Sequence, residues 1–321
     1  MVLRAWPLEG IGEIRPGDDL AAIIVDHLTE PLEAGDVVVV TSKVVSKAAG
    51  LATAGDRDSL IDAETDRVVA RRGQTRIVRT HSGLTLAAAG IDASNLEAGS
   101  VIPLPRDPDG AARDLRGRLE DLAGVRLGVI VSDTAGRAWR IGQTDIAIGA
   151  SGVAPYLSFA GVEDAYGNLL AVTSPAIADE IAGTAELVAG KLDGQPVVVV
   201  RGLPAAWLDS DEGAAALIRD DDGDLFGLGA RDAVLAAVSR GELPRGFPVA
   251  DEGDDLLALA RAGTDLSLAD VTVAADGSLE VRALSEDGAP EAHVEAGALA
   301  ERLRILARAL RREIVIAVVS D

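Results

Sequence analysis

Residues 129–152 read VIVSDTAGRAWRIGQTDIAIGASG and are the most unusual stretch of the chain. The apolar run from Gly128 to Val131 predicts a buried strand, because short β-branched runs bounded by polar or glycine residues are typical of covered strands. The run is followed by Asp133 and Thr134, a carboxylate beside a hydroxyl, and such oxygen ligands suit a hard cation such as Mg²⁺ or Mn²⁺. The segment therefore predicts a strand that carries a cation site at its end.

The residues after Thr134 are too polar and too rich in glycine to be core, and they predict a surface loop. Two guanidinium groups, those of Arg137 and Arg140, could hold the carboxylates or phosphates of a substrate while Trp139 stacks on its ring. Both arginines are therefore candidate catalytic residues, together with Asp133. The alternative is a loop held only by structural ion pairs. However, only 2% of the residues are aromatic, so a tryptophan in a polar loop favours a binding site over that alternative.

The segment VVVVTSKVVSKAAG (residues 37–50) runs from a second predicted strand into hydroxyl and ammonium groups. Only three of the 30 basic residues are lysines, and two of them, Lys43 and Lys47, lie four positions apart beside Ser42. An ammonium meets a phosphate as a compact point charge, whereas a guanidinium meets it as a planar fork. The pair therefore indicates phosphate binding, with Lys47 as a further candidate catalytic residue; the alternative is chance retention of lysine.

Two other segments have the composition of a binding site. Residues 11–17 (IGEIRPG) predict a tight loop in which missing side chains let the backbone approach a ligand. Residues 87–95 (AAAGIDASN) place Asp92, Ser94 and Asn95 just after an apolar run, although a lone aspartate there is more often a turn residue or a helix cap.

Strands and helices alternate along the rest of the chain, which predicts a mixed α/β fold of the α+β class. Strands are predicted at 37–40, 76–80, 127–131 and 197–200, and helices at 19–28 with an Asp18 cap, 59–71, 111–122 and 176–191. The proline-rich and charged residues 243–255 predict a boundary between a domain of residues 1–243 and a small α+β domain of residues 244–321.

The second domain should contain a helix at 256–262, strands at 271–273 and 279–281 around an Asp276-Gly277 turn, a helix at 298–312 and a final strand. Five arginines lie on or beside the long helix: Arg302, Arg304, Arg308, Arg311 and Arg312. They could contact an acidic partner, but charged helix faces usually only solvate the protein, and that interpretation is favoured.

The formal charge of −22 argues against nucleic acid and anionic membranes as partners, since both would be repelled. There are no cysteines, and the three histidines are scattered, so a metal site would be built from oxygen. A P-loop and a GxGxxG motif are absent from the sequence. Apolar runs stay below the roughly 20 residues that span a bilayer, which predicts a cytoplasmic protein.

Five motifs occur in the order and spacing of the F420-0:gamma-glutamyl ligases, and the chain resembles that family over roughly residues 8 to 230. The motifs are TSKVVSK (41–47), GIDASN (90–95), SDTAGRAWRIGQTDIAIG (132–149), DAYGN (164–168) with a later ADEIA (178–182), and PVVVVRG (196–202). The resemblance implies a two-lobed α/β fold, an intertwined homodimer, and a GTP and metal site. It implies an enzyme that uses GTP to add L-glutamate, and then further glutamates, to the deazaflavin coenzyme F420-0.

Carried over position by position, the resemblance implies three metal ligands: Asp92, Asp133 and Thr134. The nucleotide contacts, from the residues above and from the resemblance together, are Ile11, Gly12, Glu13, Ile14, Ser42, Lys43, Lys47, Asn95, Gly190 and Lys191. Two divalent cations, Mg²⁺ or Mn²⁺, are expected, with K⁺ as a further candidate ion. Some related chains continue into a flavin-dependent reductase domain, but the tail here is too short for one, so FMN is not expected. Asp164, Tyr166 and Arg201 lie in matching motifs without an assigned role.

Two other functions stay open at this stage. The first is an amide ligase on the same scaffold that acts on a different carboxylate. The second is a protein that binds a nucleotide or the deazaflavin without turnover and uses its unusual tail as a partner dock. The intact candidate residues Asp92, Asp133, Thr134 and Lys47 argue against the second, because a protein without turnover would be free to lose them.

Overall fold

A computed structural model describes residues 2–94, 96, 99–221, 223–239, 242, 245–247, 253–285 and 289–319, and it confirms the mixed α/β class. The strands are β1 (Arg4–Pro7), β2 (Val37–Thr41), β3 (Thr53–Ala54), β4 (Thr65–Arg72), β5 (Thr75–Thr80), β6 (Thr85–Ala87), β7 (Ser100–Val101), β8 (Gly128–Gly136), β9 (Gln143–Ser151), β10 (Val197–Arg201), β11 (Ala269–Val273), β12 (Leu279–Ala283) and β13 (Ile316–Val319). The helices are α1 (Leu20–Asp26), α2 (Ser42–Ala48), α3 (Arg57–Glu64), α4 (Pro108–Ala123), α5 (Ile177–Ala189), α6 (Ala230–Val238), α7 (Leu256–Arg261) and α8 (Pro290–Ala309). Short 3-10 helices cover Ala88–Gly90, Ala205–Trp207 and Ala214–Leu217.

The chain forms two compact units, and they divide at a different place from the predicted boundary at 243/244. The first unit contains Met1–Val68 and Arg72–Ile218, and the second contains Val69–Arg71 and Arg219–Asp321. Residues 219–239 belong with the second unit because α6 packs against α8, where Arg308 donates hydrogen bonds to the carbonyls of Ala236 and Ala237. The proline-rich and charged residues 243–255 therefore lie inside the second unit.

A five-stranded sheet, in the order β1-β10-β2-β8-β9, forms the centre of the first unit. Strands β2 and β8 are parallel, and the other neighbours are antiparallel. The valine run of β2 is buried on both faces, since Val38 and Val40 lie in one apolar cluster with α1 and α4, while Val37 and Val39 lie in another with α5. This burial explains why a continuous apolar run, and not an alternating one, marks the central strands.

Strand β9 is one of the two edge strands of this sheet, and carboxylates cap its outward N–H groups. Glu186 accepts from the amide of Asp145 at 2.9 Å and Asp179 from that of Ala147 at 2.9 Å. Asp109 accepts from the amide of Ala150 at 2.8 Å. Unpaired edge groups would otherwise be open to another strand, so these acidic side chains complete the ladder.

A β-bulge interrupts the pairing of β8 with β9. Val131 pairs with Gly149, but Ser132 pairs with Ala147, so Ile148 is an extra residue. Bulges redirect the side chains that follow them. The shift places Asp145 directly opposite Thr134.

Two helix predictions need correction. The predicted cap of the first helix was Asp18, but Asp19 caps α1 by accepting from the amide of Ala22, while Asp18 accepts from the amide of Arg15. The helix predicted at 59–71 ends at Glu64, and the chain continues directly as β4. Val68 and Val69 lie in the stretch that was predicted as helix but forms β4, and valines favour a strand once a partner strand is present.

The second unit contains a three-stranded sheet in the order β11-β12-β13, covered by α7 and α8. Strands β11 and β12 are antiparallel and flank the predicted turn, in which Gly277 has a φ of +83°. Arginines in and just after α8 have partners inside this unit: Arg302 donates to Thr264, Arg311 to the carbonyl of Phe247 and Arg312 to the carbonyl of Asp254. Within the described residues, no helix of either unit is both long and apolar enough to cross a membrane.

Candidate functional site

The candidate site lies where β2 ends beside β8. These two strands are parallel neighbours, with Thr41, the last residue of β2, opposite Ser132. Asp133 and Thr134 were predicted at the end of their strand, but β8 continues to Gly136 and contains both. Ligand sites in α/β proteins are commonly found at the carboxyl ends of parallel strands such as β2. Ser42, the first residue of α2, donates a hydrogen bond of 2.9 Å to Oδ1 of Asp133. Two segments that the sequence singled out independently, 91 residues apart, therefore meet here.

Asp133 lies in surroundings that disfavour its charged form. Burial raises the pKa of its carboxyl to about 6, and the nearby carboxylates of Asp145 and Asp92 contribute in the same direction. The hydrogen bond from Ser42 opposes this shift. A partly buried carboxylate among like charges gains most from a bound cation, so the electrostatics are suited to a metal ligand.

Lys43 keeps Asp92 in its charged form, in contrast to Asp133. The ammonium of Lys43 lies 2.6 Å from Oδ2 of Asp92 and 2.8 Å from the hydroxyl of Ser94, which itself donates to Asp92. Burial alone would raise the pKa of Asp92, but the hydrogen bonds from Lys43 and Ser94 outweigh it and lower the pKa to about 2. Asp92 therefore stays ionised and carries a counterion supplied by the protein.

Lys47 joins the first loop to α2. Its side chain is only 9% exposed, and its ammonium contacts Oε1 of Glu13 at 2.5 Å. In the same loop Ile14 is buried in the main core, whereas Gly12 and Glu13 are exposed. This loop therefore lies beside the lysine segment.

On the other side of β8, Lys191 reaches Thr134. The ammonium of Lys191 contacts Oγ1 of Thr134 at 2.5 Å and Oε1 of Glu186 at 2.9 Å. The turn before it depends on Gly190, which has a φ of +66° and lies directly after α5. All three lysines of the chain therefore pair with carboxylates or hydroxyls at this one edge.

Arg137 and Arg140 do not join this cluster. The predicted loop is the turn of a β-hairpin, because β8 continues to Gly136 and β9 begins at Gln143. At a rise of about 3.3 Å per residue, the backbone of Arg137 lies roughly 13 Å beyond Asp133. Both arginines are exposed, and Trp139 is 83% exposed with a φ of +60°. Asn95, the other predicted nucleotide contact, lies outside the described residues.

The candidate ligand atoms are oxygens, which suit a hard cation, but they do not form a complete coordination shell. Among the described residues there is no group of three or more His, Asp or Glu side chains arranged to hold a metal ion. Asp92 and Asp133 offer two carboxylates that influence each other, whereas Thr134, the next residue of β8, offers its hydroxyl on the opposite face of the strand. Mg²⁺ commonly takes one or two carboxylates and completes its shell with water and substrate phosphates, so this incomplete set is compatible with it.

Sequence reasoning missed two residues of the site, Asp145 and Glu186. Asp145 accepts hydrogen bonds from Ser132 at 3.0 Å and from Thr134 at 2.8 Å, and Glu186 bonds both Lys191 and the Asp145 amide. The alternation in TDIAIG (144–149) was the available signal for a strand here, but the polar and glycine-rich residues before it favoured a loop.

Two of the motif residues without an assigned role have structural contacts. Arg201 donates two hydrogen bonds of 2.7 Å to the buried Asp36 and also contacts Glu33. Its guanidinium lies 5.1 Å from the centre of the Trp6 ring. Asp164 accepts from the backbone amides of Tyr166 and Asn168 and so stabilises a turn.

A family model described as F420-0:Gamma-glutamyl ligase matches residues 10–57 and 57–202, which together are more than half of the chain. The chain belongs to this family. Similar proteins include the coenzyme F420:L-glutamate ligase of Methanothermobacter thermautotrophicus, 38% identical over 244 residues (68% of this chain and 96% of the relative). The protein of that name from Methanopyrus kandleri is 40% identical over 248 residues (70% and 97%), and that from Archaeoglobus fulgidus is 41% identical over 232 residues (66% and 92%).

This match to the F420-0:gamma-glutamyl ligase family contains the residues of the candidate site. It ends at residue 202, before the second compact unit begins its main segment at Arg219. The site therefore lies wholly in the part of the chain that the family shares.

Proposed function

We propose that this protein is a GTP- and metal-dependent ligase that adds L-glutamate to coenzyme F420-0 and then adds further γ-linked glutamates. Membership of the family, and relatives named for this ligation at 38–41% identity, support the reaction class and the substrates. GTP as the nucleotide, the metal and the reaction path are inferred from the resemblance and from the chemistry of the site.

The observation that carries the proposal is the contact between Ser42 and Asp133. It joins a segment with two lysines, directly after the carboxyl end of β2, to a carboxylate of the parallel strand β8 whose pKa is raised by burial. Positive charge for phosphates and oxygen ligands for a cation are the two requirements of a site that handles a nucleoside triphosphate. The lysines of α2 and the carboxylate of β8 support the proposal as groups of these two kinds.

Each candidate residue has a distinct role in this proposal. Asp92, Asp133 and Thr134 would hold the divalent cations, Mg²⁺ or Mn²⁺, with K⁺ as a further ion. When bound, these ions offset negative charge on the triphosphate and on the transferring phosphoryl group. Lys47 and Lys191 add fixed positive charge.

Binding of the nucleotide base and phosphates falls to the loop and turn residues. The loop Ile11–Ile14, the hydroxyl of Ser42 and the turn at Gly190 can offer backbone amides and small groups to the nucleotide, and Lys43 is close to the same edge. Asn95 is kept in the set through the resemblance. Arg137 and Arg140, on the hairpin turn, are assigned to the anionic groups of F420-0 or glutamate, because their charge is the kind that binds carboxylates and phosphates.

The proposed reaction proceeds through an acyl phosphate. The terminal carboxylate of F420-0 attacks the γ-phosphorus of GTP, the bond from that phosphorus to the β-γ bridging oxygen breaks, and GDP leaves. The amine of glutamate then attacks the acyl carbon, loses a proton and expels inorganic phosphate as the amide forms. The site must exclude water during this interval, since hydrolysis of the acyl phosphate would waste GTP.

A homodimer is the assembly that we propose, as the resemblance implies. The first unit exposes several large apolar side chains, and such side chains mark a protein interface where they form one continuous patch. They include Trp139 (83%), Ile141 (102%), Tyr166 (92%), Val172 (91%), Leu187 (86%) and Leu192 (95%). Light scattering after size-exclusion chromatography should give twice the chain mass, and a monomeric mass with full activity would contradict the dimer.

The reaction path can be tested with F420-0 labelled with ¹⁸O in its terminal carboxylate. An acyl phosphate carries one carboxylate oxygen to phosphorus, so one ¹⁸O should appear in the inorganic phosphate released by the first glutamylation of each F420-0. Later additions use the unlabelled γ-carboxylate of the preceding glutamate, so the label is read under conditions of a single addition. Asp133→Ala should abolish both the label transfer and the product. Glutamylated product with unlabelled phosphate would contradict the path, and full turnover by Asp133→Ala would remove Asp133 from the ligand set.

A further inference from the structure

The ammonium of Lys191 lies among three oxygen atoms on one face of β8. It is 2.5 Å from Oγ1 of Thr134, 2.9 Å from Oε1 of Glu186 and 3.9 Å from Oδ1 of Asp145. The side chains of Asp145 and Glu186 are only 14% and 25% exposed. Carboxylate and hydroxyl oxygens are also the ligands that a hard divalent cation takes. The ammonium therefore occupies the position that such a cation would need on this face.

This position is separate from the two carboxylates assigned to the metal. Asp133 and Thr134 are consecutive residues of β8, so their side chains lie on opposite faces of the strand. Asp133 accepts from the uncharged hydroxyl of Ser42, and Lys43, the next residue, holds Asp92. A divalent ion on Asp92 and Asp133 would thus lie on one face of β8, and the ammonium of Lys191 lies on the other.

The hydrogen bonds around the Lys191 ammonium already use the oxygens that a cation would need. Gly190, with a φ of +66°, forms the turn after α5, and Lys191 bonds back to Glu186 in the last turn of that helix. The other oxygen of Glu186 accepts from the backbone amide of Asp145 at 2.9 Å. The hydroxyl proton of Thr134 goes to Asp145 at 2.8 Å, so the ammonium bonds a lone pair of that hydroxyl.

We propose that the ammonium of Lys191 takes the place of a second divalent cation, so that each chain holds one such ion, on Asp92 and Asp133. The resemblance implies two divalent cations and includes Thr134 among their ligands. The surroundings of the Thr134 hydroxyl fit the ammonium and not a second metal ion. A lysine ammonium is a compact point charge, and here it is a permanent part of the protein.

This inference rests on the proposed function, since it needs the first cation site, and it narrows the number of divalent ions from two to one. It also gives Lys191 a defined task, which is to supply the positive charge on the second face of β8. The consequence is that the Thr134 face should bind a metal ion only when the ammonium is removed.

The test uses electron paramagnetic resonance of Mn²⁺ bound to the full-length protein at pH 8, with and without GTP. Consecutive Cα atoms are about 3.8 Å apart, so ions held by Asp133 and by Thr134 would be close enough for their spins to couple. Wild-type protein should show one isolated Mn²⁺ per chain and no coupled pair. Lys191→Met removes the ammonium and should give a coupled pair, a twofold rise in the ions bound at the site. Ions bound singly to the acidic surface do not give this coupled signal.

Two control variants locate the second ion. Lys43→Gln removes an ammonium from the Asp92 face and should still show one isolated ion, because the Lys191 ammonium remains in place. Adding Glu186→Gln to Lys191→Met should abolish the coupled pair, because it removes a carboxylate from the second position only. Circular dichroism and thermal unfolding establish that each variant is folded.

Three results would overturn the inference, and they point to different errors. A coupled pair in wild-type protein would show that Lys191 leaves its position when a metal ion arrives. A single isolated ion in folded Lys191→Met would show that the ammonium is not what excludes a second ion. Both results would leave the proposed function in place. Wild-type protein that binds no Mn²⁺, even with GTP, would overturn the proposed cation site together with this inference.

Discussion

The ammonium of Lys43 lies 2.6 Å from Oδ2 of Asp92, so a carboxylate assigned to a cation is already neutralised by the protein. A divalent ion that binds Asp92 must therefore compete with this ion pair. Lys43→Gln should tighten Mn²⁺ binding to the nucleotide-free protein by about two- to fivefold, the range expected for a partly exposed ion pair. Electron paramagnetic resonance of free Mn²⁺ measures this change.

The control for that experiment is Arg118→Gln, which removes an exposed ion pair with Asp19 and one positive charge outside the site. It should leave the Mn²⁺ affinity unchanged. Equal tightening in both variants would indicate a general charge effect, and weaker binding in Lys43→Gln would show that Lys43 supports the cation site.

The raised pKa of Asp133 predicts a stability that depends on pH in metal-free protein. The folded state keeps the proton up to about pH 6, whereas an unfolded aspartate releases it near 3.8, so stability from this group falls as the pH rises through that interval. At pH 8 the loss is on the order of 2 to 3 kcal/mol. Asp133→Asn keeps the acceptor for Ser42 and should raise the melting temperature at pH 8, but not at pH 4, in buffer with EDTA.

Asp92→Asn should behave in the opposite way. The pKa of Asp92 is lowered to about 2, so its ionised form stabilises the fold above the unfolded pKa, and that contribution is lost only as the pH falls through the folded value. The variant should melt lower than wild type at pH 8.

A stabilising effect of Asp133→Asn that is equal at both pH values would contradict burial of a charged group as its cause.

The buried Lys47 and the exposed Glu13 form an ion pair, and substitutions of the two residues should affect nucleotide binding differently. Lys47→Gln should raise the dissociation constant for a fluorescent GTP analogue by about 10- to 100-fold, as expected for loss of a charge-assisted hydrogen bond. Glu13→Gln should not weaken binding, because it removes negative charge near the triphosphate. Equal weakening by both changes would mean that Lys47 serves only to hold the first loop.

Asp109 should matter for stability and not for the site. Its carboxylate accepts from the amides of Ala150, Ala214 and Ala215, so Asp109→Ala leaves three donors without this acceptor. The loss should be on the order of 2 to 4 kcal/mol in urea unfolding. Asp109→Asn keeps one acceptor oxygen and should lose less. A change in Mn²⁺ affinity in either variant would show that the β9 edge is coupled to the site.

Some of the site could be predicted because single segments encode it. The valine run of β2 and the apolar run of β8 mark buried central strands, and polar residues at their ends predicted Ser42 and Asp133 as neighbours of a ligand. The lysine count alone indicated Lys43 and Lys47. These signals are local in the sequence, and pairing of parallel strands brings them together without further information.

The rest depends on contacts that no local pattern encodes. The bulge at Ile148 is a property of the pairing between two strands, and so are the position of Asp145 and its bond to Thr134. The helix predicted to continue to Arg71 ends at Glu64, because β5 supplies a strand partner for the residues that follow. Strand preference depends on such tertiary neighbours more than helix preference does.

Glutamylation of F420-0 is tested by mass spectrometry of purified protein incubated with F420-0, L-glutamate, GTP and Mn²⁺ or Mg²⁺. Products heavier by successive glutamyl units are expected, with one GDP formed per unit and no product when the metal is removed by EDTA. Absence of product in the complete mixture, while GTP still binds in a metal-dependent way, would contradict F420-0 glutamylation as the reaction of this site.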